Sequence, residues 1–159
     1  MNDEISSQRR LDLERPDLEC LWLTLRPRRL PRPLSGIAIC VVYYPPGLPV
    51  ERHKNLSDYL ITTTDYLRNK HPDHGLVFLG DFNDFDTNSF VRNHSFKQVV
   101  KVSTRNSATL DLIITNMQSL YKNPSALAPL VSSDHDIVPM PNKRQVRRYP
   151  RSGMDALGR

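Results

Sequence analysis

Apolar residues come in short runs along this chain, and polar stretches separate them. Residues 1–16 are polar and charged with no sustained period, which predicts a loose N-terminal arm. Residues 18–25 (LECLWLTL) are apolar enough for a strand. The next segment, RPRRLPRPLSG, is a Pro/Arg loop that suits neither a helix nor a central strand. Residues 36–44 (GIAICVVYY) are β-branched and almost wholly apolar, which predicts a strand covered on both faces. The two runs together predict a hairpin with a long basic connection.

Pro45, Pro46 and Pro49 end the second run. Asn55 is then a candidate cap for a helix over 55–69, with Leu56, Tyr59, Leu60, Thr63, Tyr66 and Leu67 at helical spacing. His71-Pro72 stops it. Residues 76–79 (LVFL) predict a short buried strand that ends at Gly80. Residues 88–109 are mixed, with one apolar piece at 99–102, and residues 110–115 (LDLIIT) predict another buried strand. Strands outnumber helices and one helix lies between strands, so the fold class is α/β or α+β with a mixed sheet. The domain is expected over residues 17–138.

Composition narrows the function classes. The 159 residues amount to one domain, 38% hydrophobic and 25% charged. No window approaches the length of a membrane-spanning helix, and the first residues lack the apolar region of a secretory signal. Cys20 and Cys40 are the only cysteines, which excludes a disulfide scaffold and a four-cysteine zinc site. The net charge of +5 is unevenly placed. Residues 1–34 carry +1, residues 35–138 carry −1, and residues 139–159 carry +5. The last segment is expected as a basic disordered tail. Its KRQVRRYPR stretch suits a phosphate contact or a nuclear address, and more simply a solvated linker. An intracellular setting follows from these features as an expectation, and no membrane contact is expected.

Four features are candidates for chemistry. Gly80-Asp81-Phe82-Asn83 follows a buried strand, with a carboxylate and an amide two residues apart, and Gly, Asp and Asn are also ordinary turn residues. Asp111 stands inside LDLIIT, where an ionised carboxylate needs a partner or an edge position. Ser133-Asp134-His135 offers an imidazole beside a carboxylate, or a polar loop; Asp111 is a candidate to hold His135 in one tautomer. Tyr43-Tyr44-Pro45-Pro46 offers a hydroxyl for a phosphate, or aromatic packing at a strand end. Other signals are set aside. Asp84-x-Asp86-x-Asn88 lacks the Gly and Glu of a calcium loop, and His71 with His74 lacks further zinc ligands. Asn55 and Asn93 fit the glycosylation pattern without a secretory context.

In order, VVYYPP (41–46), GDFND (80–84), STRNSATLDLIIT (103–115) and SSDHDIV (132–138) resemble the endonuclease/exonuclease/phosphatase superfamily. Their spacing and wording look like the endonuclease domain of LINE-type (non-LTR) retrotransposons. The resemblance covers residues 18–138. It implies a four-layer α/β sandwich, here partial, and a Mg²⁺-dependent phosphodiesterase, with Mn²⁺ as a substitute, that nicks DNA through phosphate-backbone contacts. No small-molecule cofactor is implied.

Carried over residue by residue, Tyr43 contacts the scissile phosphate. Asp81 orients the attacking water or serves the leaving oxygen, and Asn83 orients water and phosphate. Asp134 sits by the metal with Asp81. His135 stabilises phosphate charge with Asp111 as its orienting partner, and Arg105, from the Thr104-Arg105 pair, reaches a phosphate. The family's first Asn and its metal-binding Glu have no counterpart among the acids before Tyr43, so the resemblance is to the family's C-terminal portion. One face of the sheet is then expected to be bare around residues 37–42. An active endonuclease and a catalytically inactive remnant with weak nucleic-acid contacts both follow. A phosphoesterase acting on a lipid or nucleotide ranks behind them.

Overall fold

The structure is a computed structural model that describes residues 5–129 and 133–143. A single six-stranded sheet organises the chain. Its strands are β1 (Ser6–Arg9), β2 (Cys20–Arg26), β3 (Gly36–Tyr43), β4 (His74–Asp81), β5 (Lys97–Gln98) and β6 (Asp111–Thr115). Their spatial order is β1-β2-β3-β4-β6-β5. β2 and β3 form the expected antiparallel hairpin. β3 and β4 run parallel, because the chain between them crosses over as helix α1 (Val50–Lys70). β6 returns antiparallel to β4, and β5 pairs on its far side. This is the mixed α+β architecture that the apolar runs predict.

α1 starts five residues earlier than expected. Pro49 precedes its first turn, and nothing in VERHK resists a helix. Asn55 is therefore not a cap; its amide nitrogen donates instead to Asp17 Oδ2 at 3.0 Å. Glu51 in the first turn and Arg68 and Lys70 in the last complement the helix dipole. Leu56, Leu60 and Leu67 pack onto one face of the sheet against Trp22, Ala38, Cys40, Val42, Leu76 and Phe78. Phe90 and Phe96 complete this aromatic core, with Phe90 on a short second helix, α2 (Asn88–Asn93). Trp22 Nε1 donates to the Tyr59 hydroxyl at 2.8 Å, which donates in turn to the Leu13 carbonyl at 2.7 Å. Each large apolar side chain buried here contributes about 1.5–3 kcal/mol.

The opposite face is covered over half its length. Ile37, Val77 and Met117 are buried there beneath the 27–35 loop and the 3₁₀ turn Gln118–Leu120. Towards the other end Ile39, Leu79 and Ile113 are half-buried, and Val41 is 37% exposed. β3 is thus covered on both faces only in its first half, a correction to the expected two-sided burial.

Two further expectations need correction. The arm expected over 1–16 contains β1, which is hydrogen-bonded along β2 from Ser6↔Arg26 to Arg9↔Leu23. It is an edge strand of exposed polar residues, so no hydrophobic period marks it. The mixed stretch 88–109 supplies β5 at Lys97–Gln98, just before the apolar piece at 99–102, in which Val100 is buried. The start of the expected tail is paired, since Tyr121 bridges to Asn142 and the Lys143 N–H donates to the Leu120 carbonyl. The rest of that tail, from residue 144 on, lies outside the described residues.

Candidate active site at one end of the central strands

β3 and β4 are parallel and end side by side, and β6 begins beside β4. Register pairs Tyr43 with Asp81 and Asp81 with Asp111. Cross-strand partners share a face, so these three side chains form one row. They lie on the half-covered face, at its bare end.

The turn after β4 shapes this row. Gly80 has φ +138°, and a Cβ there would drive into the Val42 carbonyl oxygen, so only glycine lets β4 come this close to β3. Asp81 then closes a local turn, its Oδ1 accepting the Asn83 N–H at 3.1 Å. Asn83 has φ +44°, and its amide nitrogen donates to the Tyr44 carbonyl at 2.9 Å. The turn is thereby tied back to the end of β3. Asp84 and Asp86 accept the backbone N–H groups of Gly47 and Asn88, which is turn work rather than cation binding.

The second half of the site hangs on Thr104, which is fully buried. Its hydroxyl accepts the backbone N–H groups of Leu110 and Asp111, each at 3.0 Å. Its carbonyl accepts the Asp136 N–H at 2.8 Å. One residue therefore ties the start of β6 to the loop that carries Asp134 and His135. The neighbouring Arg105 reaches Asp134 Oδ2 at 2.6 Å.

His135 Nδ1–H donates to Asp111 Oδ2 at 2.8 Å. Asp111 is therefore neither an edge residue nor unpaired. The Nε2 of His135 faces Asp81 Oδ2 at 4.0 Å and Asp134 Oδ1 at 3.9 Å. The hydrogen bond to the Asp111 carboxylate raises the His135 pKa, against a smaller opposing effect of burial, and the charges of Asp81 and Asp134 add to the rise. The side chains of His135 and Asp111 are each 26% exposed and Asp134 is 64% exposed, so the site opens to solvent.

The structure thus gathers Asp81, Asn83, Arg105, Asp111, Asp134 and His135 at one sheet end. Tyr43, 51% exposed, stands next to Asp81 in the ladder. The sequence reading misses two contributors. In the sequence Thr104 stands out only as the neighbour of Arg105, and nothing local signals a hydroxyl that accepts two backbone donors. Glu19, expected within the strand over 18–25, instead precedes β2; its carbonyl accepts the Tyr43 N–H at 2.9 Å, and it shares a cleft of about 560 Å³ with Tyr43.

Among the described residues no three His, Cys, Asp or Glu side chains are grouped to hold a metal ion. The carboxylates of Asp81 and Asp134, at 4.0 and 3.9 Å from Nε2, suit the sparse mode in which Mg²⁺ keeps several waters and takes one or two carboxylates. They do not make a closed cage.

No protein-family model and no curated protein sequence matches the chain. Among solved structures, the chain is similar to the human Nocturnin catalytic domain with bound sulfate anion. The TM-score is 0.48 at 19% identity, over 83% of this chain and 56% of that one. It is also similar to the endonuclease/exonuclease/phosphatase from Bacteroides vulgatus. There the TM-score is 0.49 at 12% identity, over 84% of this chain and 62% of that one. The chain thus spans less than two thirds of either length. Neither likeness bears on the chemistry, which rests on the side chains gathered at the sheet end.

Proposed function

We propose that the chain is a phosphodiesterase of the LINE-type retrotransposon endonuclease kind, which nicks DNA with Mg²⁺ or Mn²⁺. The observation that carries this reading is the Asp111–His135 hydrogen bond, which turns Nε2 towards Asp81 and Asp134 at the open sheet end. Asp111 fixes the tautomer and favours the imidazolium, so His135 presents a positive N–H to a phosphate oxygen. Asp81 Oδ2 orients the attacking water, while its other oxygen is held in the turn. Asn83 positions that turn through Tyr44 and has its amide oxygen to offer to water or phosphate. Tyr43 brings a hydroxyl from the neighbouring strand. Arg105 exchanges Asp134 for a phosphate oxygen when substrate arrives. Asp134 and Asp81 would hold a divalent ion, which when bound would supply charge neutralisation at the non-bridging oxygens.

The test is nicking of supercoiled plasmid with Mg²⁺, beside an EDTA control and His135→Ala. Nicking that disappears in both controls is the expected result. Undiminished nicking by His135→Ala, or none from folded wild-type protein, overturns the reading. A second reading, an inactive remnant with weak nucleic-acid contacts, is favoured by the Arg105–Asp134 ion pair. It occupies one of the two candidate metal carboxylates. It predicts no metal-dependent nicking under any condition.

A further inference from the structure

The end of the sheet away from this site carries the opposite charge. The 27–35 loop joins β2 to β3 there, about 25 Å from Tyr43 along an eight-residue strand. From residue 20 to residue 50 the chain has no Asp or Glu and no Lys, but four arginines: Arg26, Arg28, Arg29 and Arg32. All four are exposed. Arg9, Arg10, Arg15 and Arg105 each hold a carboxylate, whereas among the described residues no ion pair engages these four. Exposed Lys122 and Lys143 lie at the same end, where their backbone N–H groups bond to Pro141 and Leu120. Asp73 meets the loop through Ser35, whose backbone N–H donates to its carbonyl.

The loop is a braced platform. Leu30 and Leu34 turn inward onto Ile37, Val77 and Met117, and with Tyr121 and Asn142 they line a pocket of about 130 Å³. Pro27, Pro31 and Pro33 restrict the backbone, and the Leu34 N–H closes a turn on the Pro31 carbonyl at 2.9 Å. Little conformational freedom is left to lose when the arginines engage a partner.

We propose that this loop is a docking surface for the phosphodiester backbone of a nucleic acid, separate from the site at the far end. Arginine without lysine suits the forked recognition of phosphate. The loop's own apolar side chains face the core, so it has nothing to insert into a lipid surface. The assignment does not depend on whether the chain cleaves anything.

The experiment is fluorescence anisotropy of the full chain with labelled single-stranded RNA, single-stranded DNA and duplex DNA in EDTA, where the acidic site lacks metal. Arg28→Gln/Arg29→Gln/Arg32→Gln is expected to weaken binding about tenfold or more and to make the salt slope shallower by about two to three. The three probes identify which backbone fits best. Unchanged affinity and slope in the triple variant overturn the proposal. So does loss of binding only when Arg144, Arg147, Arg148 and Arg151 are changed to Gln. Tighter binding to phosphatidylserine vesicles or polyglutamate than to any nucleic acid overturns it too. Circular dichroism of each variant confirms that the fold is retained.

Discussion

The two ends of the sheet use charge in opposite ways. At the end with Tyr43, Asp81 and Asp111, almost every polar group is committed to another: Asp111 to His135, Asp134 to Arg105, Asn83 to Tyr44. At the far end the arginines of the 27–35 loop stand unpaired among the described residues, while the backbone beneath them is braced. The first arrangement aims particular atoms and is suited to chemistry. The second holds charge on a fixed surface without aiming it, which suits a polyanion that need not be in one register. The histidines follow the same division. His135 is set to hold its proton by the Asp111 carboxylate. His74, at the start of β4, is set to lose its proton by burial first and by the charge of the stacked His71 second.

The largest expected effect lies at the chemical end. His135→Ala lowers Mg²⁺-dependent nicking by about 10²–10⁴-fold, measured beside nucleic-acid binding at the arginine loop; loss of both together would erase the distinction between the ends. Gly80→Ala pits a side chain against the Val42 carbonyl at a positive φ and costs about 3 kcal/mol. Urea unfolding reads it, and a wild-type midpoint would show that β3 and β4 do not need this approach. Thr104→Val leaves the half-buried N–H groups of Leu110 and Asp111 without their acceptor and costs about 2 kcal/mol. It should also return the His135 pKa towards its ordinary value, since Asp111 loses its anchor.

The smallest effect is on pH dependence. The raised His135 pKa gives a stabilisation that is fully present below the unfolded value of about 6.5 and is lost as pH rises through the folded value. The depressed His74 pKa gives one that is present above about 6.5 and is lost as pH falls through its folded value. Imidazole titration by NMR should place the two midpoints on opposite sides of about 6.5, and two coincident midpoints would remove the contrast.

The chain shows on its surface what local physics controls. The apolar runs of β2, β3, β4 and β6 and the 3.6-residue period of α1 are legible because each element must bury a stripe. The separate pieces of the site are legible because acids and a histidine beside such runs are uncommon. The all-polar β1, the two-residue β5 and the short α2 leave no period to read. Long-range pairing leaves even less trace. That β6 inserts between β4 and β5, bringing Asp111 opposite Asp81, is set by the whole sheet. The same is true of Thr104 and of the Arg105–Asp134 pair, whose members are far apart in the chain but neighbours in space.

The place of β6 also sets a timetable. Asp81 leaves the ribosome thirty residues before Asp111 and more than fifty before His135. Until the last of these has emerged and β6 has docked, a nascent chain carries an exposed carboxylate and an open sheet edge but no oriented imidazole. The arrangement proposed to act on a phosphodiester is assembled only once synthesis has passed His135. The arginines of the basic loop, by contrast, have all been made within the first third of the chain, although the residues that brace them, Val77 and Met117 among them, follow later.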